Sequence, residues 1–304
     1  MGYDLDNKLV IAISSRALFN LEEENEIFEK LGLNEYYDYQ IKNEEKLLQK
    51  GTAFRLVNNL LKINDDFPSN KQVEVIIMSR NNAATSLRIT KSIQMYKLDI
   101  QRSAWSGGND ISKYLKAFKV DLFLSANDFD VKAANDIGIA AARILPFDND
   151  DELSDDQVKI AFDGDAVLFS DESEYIYKTE GLEAFLKHET SNALNNLPDG
   201  PFAKLLRVIS NIQSKYNNEH TPIRTALVTA RNSPAHERVI RTLNAWNVRI
   251  DESFFLGGMD KFEVVKAFGA DIFFDDQDTH LETTHKSTPS AKVPYKSTSK
   301  INSL

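Results

Sequence analysis

An internal repeat constrains the fold of this chain more than any other feature of the sequence. Residues 107–128 and 257–278 are identical at nine of 22 aligned positions, whereas average composition gives about one match by chance. Residues 11–17 and 160–166 form a second similar pair, offset by 149 residues (11 to 160), against 150 (107 to 257) for the first pair. The near-constant offset indicates a duplicated unit. Positions kept in both copies are expected to be scaffold, and positions found in only one copy are expected to carry chemistry.

Length and composition limit the classes of protein that fit. The chain has 304 residues, enough for two domains that each bury a core. It contains no cysteine, which excludes disulfides, thiolate catalysis and Cys-based zinc sites. Its net charge of −10 argues against a nucleic-acid partner, and no apolar run approaches the roughly 18 residues of a membrane helix. No secretory signal opens the sequence, so we expect a cytoplasmic protein with neither nucleic acid nor membrane as partner.

Short apolar runs alternate with amphipathic stretches in both copies, which predicts an α/β fold with a parallel sheet covered by helices on both sides. Ligands of such sheets bind at the carboxyl ends of the strands. The predicted strands of the first copy are residues 9–13, 75–78 and 121–124, and those of the second copy are 158–162, 225–228 and 271–274. The predicted helices are residues 54–63, 202–212, 237–246 and 262–268.

The repeat also predicts the domain organisation. Residues 1–150 are expected to form a degenerate, non-catalytic half and residues 151–285 a catalytic half, joined by an Asp-rich linker at 148–156. Residues 286–304 are rich in Lys, Ser, Thr and Pro and poor in apolar side chains, which predicts a disordered tail. A docking role for this tail is the alternative.

Acidic residues follow one predicted strand in the second copy only. Asp163 and Asp165 come directly after the run 158–162, where the first copy has Ser14 and Arg16. An Asp-x-Asp pair alone is most often a solvated turn, and the ligand spacing of a calcium-binding EF-hand loop is absent. The position at a strand end and the difference between the copies favour a catalytic role for both aspartates.

A second acidic pair ends another strand. Asp275 and Asp276 follow the run 271–274 and replace Ser125 and Ala126 of the first copy. Because the carboxyl ends of parallel strands meet at one edge of a sheet, these acids are expected to lie beside the first pair. Massed carboxylates repel each other, and a hard divalent cation removes that cost. Mg²⁺ suits such a site because it binds one or two carboxylates together with water and phosphate oxygens.

A hydroxyl and a lysine complete the candidate set. Thr229 ends the run 225–228 and matches Ser79, so a hydroxyl is kept in both copies; the alternative is a cap for the next helix. Lys261 stands opposite Ile111, and the alternative is an ordinary surface change. Beside a phosphate, Lys261 would screen the approach of a carboxylate nucleophile. Lys266 has a lysine counterpart in the first copy and is the poorer catalytic candidate.

Two other common catalytic centres are not supported by the sequence. The five histidines form neither an H-E-x-x-H pattern nor an i, i+4 pair, so a zinc site is not expected. No G-x-x-x-x-G-K-[ST] loop occurs, which argues against a P-loop nucleotide site.

The candidate residues described above resemble the motifs of a known superfamily. Six residues are similar, in order, to the four motifs of haloacid dehalogenase-like phosphohydrolases: Asp163, Asp165, Thr229, Lys261, Asp275 and Asp276. More narrowly, the chain resembles the cytosolic 5'-nucleotidase type I family in residues 11–19, 162–174, 227–231 and 272–276. The resemblance covers roughly residues 8–285, and its most specific part is the thirteen-residue run that begins at Phe162.

The resemblance implies a fold and an activity. It implies two tandem Rossmann-like halves, with a small helical cap in the second half at roughly residues 170–197. It also implies Mg²⁺-dependent hydrolysis of nucleoside 5'-monophosphates to nucleoside and phosphate through an aspartyl-phosphate intermediate. A non-catalytic nucleotide sensor and a phosphatase for another small phosphoester remain as alternatives, and a nucleotide effector and a homo-oligomer stay open as partners.

The resemblance further implies a role for each catalytic residue. Asp163 would be the nucleophile, and Asp165 would protonate the leaving ribose oxygen and then deprotonate the attacking water. Thr229 would bind the phosphoryl group together with Ala230 and Arg231 of the same motif, and Lys261 would neutralise the charge of that group.

The metal ligands and the far side of the pocket are also implied. Asp276 is the first choice of metal ligand from the last motif, with Asp275 beside it, while Asp163 and the backbone carbonyl of Asp165 complete the protein ligands. The first half is expected to help close the pocket, where Arg16 and Asn81 would contact the ribose, the base or an effector. A structural ion pair is the alternative for Arg16.

Overall fold

One ten-stranded sheet organises the computed structural model, which describes residues 3–147, 156–217 and 220–304. The predicted linker 148–156 lies outside the described residues, apart from Asp156. The strands are β1 (Leu9–Ile13), β2 (Phe19–Asn20), β3 (Gln49–Lys50), β4 (Val73–Ser79), β5 (Arg102–Trp105), β6 (Leu122–Ser125), β7 (Ala140–Ile144), β8 (Val158–Phe162), β9 (Ile223–Thr229), β10 (Glu252–Phe255), β11 (Ile272–Asp275) and β12 (Ser290–Lys292).

Helices cover the sheet and form a hairpin in each half. They are α1 (Ser15–Leu18), α2 (Glu22–Leu31), α3 (Leu33–Lys42), α4 (Phe54–Lys62), α5 (Leu87–Met95), α6 (Ser112–Leu115), α7 (Asp128–Asp136), α8 (Glu172–Ser191), α9 (Ala203–Gln213), α10 (His236–Ala245), α11 (Phe262–Phe268) and α12 (Asp278–Thr284), with short 3₁₀ segments at Ile63–Asp66 and Lys300–Ser303. No helix within the described ranges is both long enough and apolar enough to cross a membrane.

The strand order confirms the predicted α/β class. It runs β10-β9-β8-β11-β12-β7-β6-β1-β4-β5, with every neighbouring pair parallel except β12 and β7. Strands β5-β4-β1-β6-β7 of the first half thus have the same relative order as β10-β9-β8-β11-β12 of the second. The small pair β2-β3 lies outside this sheet.

The sheet is buried on both faces, as its continuous apolar strands predict. In β1, Leu9, Ile11 and Ile13 pack into one hydrophobic cluster, whereas Val10 and Ala12 pack into another on the opposite face. The first of these clusters extends through both halves of the chain, so the two halves share one core layer.

The prediction that residues 286–304 form a disordered tail is wrong. Strand β12 lies inside the sheet, where it pairs in parallel with β11 and antiparallel with β7. Ala291 and Val293 are fully buried there. The average composition of residues 286–304 does not reveal such a strand. A strand of three residues that pairs with a neighbouring strand on each side needs few apolar side chains of its own. The second half therefore extends past residue 285.

Each half carries a helical hairpin over the carboxyl edge of its strands, although the sequence predicted a cap in the second half only. In the first half α2 and α3 meet at Gly32, and in the second α8 turns back at Gly181. Both glycines have positive φ with extended ψ, at 96° and −175° for Gly32 and 84° and −177° for Gly181. This backbone conformation is open almost only to glycine.

Candidate active site

Asp163 directly follows the central strand β8 of the second half. Its backbone N–H donates to the carbonyl of Phe274 in β11 (2.8 Å), which fixes it at the sheet edge. The side chain is buried, and its Oδ1 lies 2.8 Å from Lys261 Nζ. Burial raises the pKa of Asp163 from 3.8 to about 7, although Lys261 acts to lower it. A carboxylate at this position therefore depends on nearby positive charge.

Lys261 supplies part of that charge. It is 1% exposed, and besides Asp163 its Nζ contacts Asp275 Oδ2 at 2.7 Å. Burial alone would lower the pKa of Lys261, but the two carboxylates outweigh burial and raise it. Ile111, the counterpart in the first half, is also 1% exposed, so the alternative of a surface change at Lys261 is wrong.

Asp275 is fixed by several donors at the end of β11. Its Oδ1 accepts from the backbone N–H of Gln277 (2.8 Å), and His280 Nδ1 lies 3.1 Å from its Oδ2. Burial alone would raise the pKa of Asp275, but Lys261 and His280 lower it. Asp275 is therefore an ionised group that is already well supplied with donors.

Asp276 has fewer hydrogen-bond donors than Asp275. Its Oδ2 accepts from the hydroxyl of Tyr295, while its Oδ1 is buried without a hydrogen-bond partner among the described residues. Burial, together with the negative charges of Glu174 and Asp275, raises the pKa of Asp276 well above its ordinary value. The Tyr295 hydroxyl also lies 2.9 Å from Glu174 Oε1.

These acids form a group that fits a cation. Asp163, Asp275 and Asp276 each offer a carboxylate oxygen, and these three oxygens lie within 4.8 Å of one another. Lys261 contacts Asp163 and Asp275, and Asp276 Oδ1 is a buried acceptor without a partner among the described residues. Hard oxygen donors in excess of the local positive charge are the donor set that Mg²⁺ prefers. The residues present therefore fit the predicted magnesium ion.

Asp165 is paired with Arg231 and is not part of this three-oxygen group. Both of its carboxylate oxygens accept from Arg231, at 2.8 Å from Nε and 2.6 Å from Nη2. The side chain is 17% exposed, so it keeps access to solvent. The family resemblance implies that Asp165 is a metal ligand through its backbone carbonyl. Its carboxylate is not one of the three oxygens of this group.

Arg231 is a partner of Asp165 instead of an open substrate contact. Its side chain is 1% exposed, and its Nη1 donates to Glu189 Oε2 at 2.5 Å. Burial acts to lower the pKa of Arg231, but Asp165 and Glu189 outweigh burial and raise it. The guanidinium is thus paired on both sides, and the predicted contact of Arg231 with substrate stays a prediction.

Thr229 ends β9 beside the loop that carries the two catalytic-candidate aspartates. A Cβ built on Gly164 would lie 3.2 Å from Thr229 Oγ1, so the glycine allows this close approach. The hydroxyl accepts weakly from the backbone N–H of Arg231 (3.4 Å). The next helix begins only at His236, so Thr229 does not cap it. Ala230, also predicted at the substrate, is exposed beside this loop.

Arg16 and Asn81 do not join this group. Both line a cavity whose lining residues all come from residues 14–130 of the first half. Arg16 is held there by Glu22 at 2.9 Å and by Asn25 at 2.8 Å. Their predicted contact with the ribose, the base or an effector therefore stays a prediction, and in this structure Arg16 makes an ion pair with Glu22, which was its alternative.

Glu174 and Tyr295 belong to the site but were not predicted from the sequence. Glu174 stands opposite Asn25 of the first half, so the comparison of the copies contained the signal. Tyr295 lies beyond the repeat, where that comparison has no counterpart to offer.

Comparison with known proteins adds independent information. A family model described as 5'-nucleotidase matches residues 1–300. The human protein named Cytosolic 5'-nucleotidase 1B is 38% identical over 286 residues, which cover 91% of this chain and 47% of the human protein. The chain thus spans about half the length of this curated relative.

Among solved structures, histidinol dehydrogenase from Elizabethkingia anophelis shows a TM-score of 0.23 at 10% identity, covering 83% of this chain and 51% of that chain. A likeness at this level carries no argument about fold or function.

Proposed function

This chain belongs to the cytosolic 5'-nucleotidase type I family, and on that premise we propose that it hydrolyses nucleoside 5'-monophosphates to nucleoside and phosphate. The observation that carries the proposal is the buried contact of 2.8 Å between Asp163 and Lys261. It pairs a carboxylate nucleophile with a cation at the sheet edge where α/β proteins bind their ligands.

In the first step a carboxylate oxygen of Asp163 attacks phosphorus and the bond to the ribose 5'-oxygen breaks. The leaving oxygen takes a proton from Asp165, which releases the nucleoside. In the second step water attacks phosphorus, its proton passes to Asp165, and phosphate leaves as Asp163 is restored. The partly exposed Asp165 side chain supports this role because it has access to water.

Arg231 controls the position of Asp165 in this scheme. Since both carboxylate oxygens accept from Arg231, at least one of these hydrogen bonds has to break before Asp165 can transfer a proton. The second anchor of Arg231 on Glu189 keeps the guanidinium in place while Asp165 turns. Arg231 is thus a positioning residue, and Thr229 remains the candidate donor to the phosphoryl oxygens.

Asp163 and Asp276 would hold Mg²⁺, with the backbone carbonyl of Asp165 as a further ligand. Asp276 is the stronger side-chain candidate of the last motif because its Oδ1 lacks a partner, whereas Asp275 is already bound by Lys261, Gln277 and His280. When bound, Mg²⁺ would supply positive charge that lowers the repulsion between the Asp163 carboxylate and the phosphate.

The test is release of inorganic phosphate from AMP, IMP, CMP and UMP, with and without Mg²⁺, and with EDTA as the control. We expect turnover of at least one monophosphate that EDTA abolishes, and loss of that turnover in Asp163→Asn. Full turnover in Asp163→Asn contradicts the nucleophile assignment. Turnover of other phosphoesters only, or nucleotide binding without turnover, contradicts the nucleotidase proposal.

A further inference from the structure

A second cavity lies in the first half, at the place that corresponds to the candidate active site of the second half. Its volume is about 460 Å³, within the range of about 300–1,000 Å³ that is typical of small-ligand pockets. Ser14 and Ser125 line it where the second half has Asp163 and Asp275. The duplicated scaffold therefore keeps an open pocket after losing its carboxylates.

The charges in this cavity are balanced. Arg80 binds Asp130 with two donors, and Glu24 of the lining is neutralised at 2.6 Å by Arg88, which is not itself a lining residue. Arg16, the other cation of the lining, is likewise paired with an acid on α2. Both cations among the described lining residues, Arg16 and Arg80, are thus paired with acids, although Nε of Arg16 has no hydrogen-bond partner.

The position of the phosphate-neutralising lysine is apolar in this half. Ile111 occupies it and is 1% exposed. A phosphate dianion placed in this cavity would therefore lose hydration without gaining a cation, which is a large cost. The cavity suits a ligand, or a part of a ligand, that carries no charge.

The walls of the cavity supply an aromatic face and a polar floor. Phe28 of α2 is 47% exposed and meets Tyr36 of α3 edge-to-face, with ring centroids 5.9 Å apart. Ser15, Ser79 and Asn81 form a hydrogen-bonded group of hydroxyls and an amide below them. Aromatic side chains stack on nucleobases, and hydroxyl and amide groups match the hydroxyls of a sugar.

We propose that this cavity of the first half binds a nucleoside, without metal and without hydrolysing it. The base stacks on Phe28 and the ribose hydroxyls bond to the serine and asparagine group. The choice of ligand class rests in part on the proposed function, because the two pockets share one scaffold. The charge balance and the aromatic wall support it independently.

The test is equilibrium binding of adenosine, inosine, cytidine and uridine to the full chain in EDTA, measured by isothermal titration calorimetry. EDTA removes the metal that the second half is proposed to need. We expect at least one nucleoside to bind at one site per chain. Phe28→Ala is expected to weaken that binding about tenfold or more, which is the usual scale of a lost base–aromatic stack. Because Phe28 is half exposed, its replacement leaves the core intact.

The second half offers a matched control. Tyr177 corresponds to Phe28, is 52% exposed, and packs edge-to-face on Phe185 at 6.1 Å. Tyr177→Ala is expected to leave nucleoside binding in EDTA unchanged. A further variant, Ala126→Leu, adds volume inside the first-half cavity at a lining residue outside α2 and is expected to abolish the binding.

Three outcomes overturn the inference: no nucleoside binding in EDTA, binding that is sensitive to Tyr177→Ala and not to Phe28→Ala, or binding of phosphorylated nucleosides only. Failure of the proposed function is separate from these outcomes. If the protein binds a nucleoside in EDTA but releases no phosphate in Mg²⁺, the nucleotidase proposal fails and the first-half site stands. If it releases phosphate in Mg²⁺ but binds no nucleoside in EDTA, the nucleotidase proposal stands and the first-half site fails.

Discussion

Tyr295, a residue beyond the repeated units, donates a hydrogen bond to Asp276, the aspartate whose other oxygen has no partner among the described residues. The same hydroxyl contacts Glu174 at 2.9 Å. It therefore separates two buried acids and orients the candidate metal ligand, so that a segment outside the repeat supports the chemistry within it.

Replacing this hydroxyl is expected to weaken metal use. In Tyr295→Phe the two acids lose their shared donor, and we expect the Mg²⁺ concentration for half-maximal activity to rise about tenfold or more, as is usual for outer-shell partners of metal ligands. A Mg²⁺ titration of phosphate release measures this. Tyr177→Phe, an exposed tyrosine of α8, is the control. Equal Mg²⁺ dependence in the two variants would exclude the orienting role of Tyr295.

Lys261 and Lys266 make a matched pair on either side of the first turn of α11. Lys261→Ala leaves Asp163 and Asp275 buried without their shared cation, and we expect kcat to fall about 100- to 1,000-fold. We also expect the free energy of unfolding to fall by about 3–5 kcal/mol. Lys266 is exposed, so Lys266→Ala is expected to change stability by no more than about 0.5 kcal/mol. Urea unfolding and steady-state kinetics test both, and an active Lys261→Ala enzyme would contradict its assigned role.

Arg231→Lys separates positioning from substrate binding. Lysine keeps the charge but cannot donate two parallel hydrogen bonds to Asp165. We expect kcat to fall about 100-fold, as for a misplaced catalytic group, with KM little changed. Arg241→Lys, in an exposed i, i+4 pair with Glu237, is the control. A rise in KM at constant kcat would instead indicate that Arg231 contacts the substrate.

The metal-free protein is expected to lose stability as pH rises from about 4 to about 7. Over this interval the unfolded chain has already released the Asp163 proton, since an ordinary Asp titrates near about 3.9, while the folded protein keeps it because burial raises the pKa of Asp163 to about 7. The folded state then binds more protons, so the free energy of unfolding falls with pH. Asp276 acts in the same direction because its pKa is also raised.

Thermal unfolding in EDTA across pH 5 to 8 measures this dependence. Asp163→Asn is expected to flatten the curve. Added Mg²⁺ is expected to raise Tm more at the alkaline end, because a ligand that binds only the folded protein stabilises it and the metal needs ionised carboxylates. A wild-type Tm in EDTA that rises steadily with pH would show that Asp163 does not titrate in this way.

Much of the site was predictable because the chain contains two versions of one scaffold. Lys261 against Ile111 is the clearest case, since a charge that replaces a buried apolar residue has to be paired. The end of β8 at Phe162 was predicted at its observed position, whereas β11 runs one residue past the predicted end at 274 and includes the buried Asp275.

The rest depended on contacts that no local pattern reveals. Arg231 was predicted to contact substrate as part of a motif with Thr229, but its partner Glu189 lies on the second arm of α8, after the turn at Gly181. The corresponding residue of α3 is Gln40, and in that half the acid is Glu24 of α2, bound to Arg88. Arg88 corresponds to Arg238, which binds Glu189 at 3.0 Å, so this buried arginine draws its acid from different arms of the two hairpins. Only the folded hairpin brings these arms together.

Strand β12 has a consequence for biosynthesis. Until residues 290–292 have been translated, β7 and β11 are two unprotected sheet edges that face the gap between the halves. Exposed edges of this kind recruit strands from other chains. A chain in which translation stops just before this segment would therefore keep both edges open and be prone to aggregate, so losing this three-residue strand would expose the sheet as much as a defect in the core would.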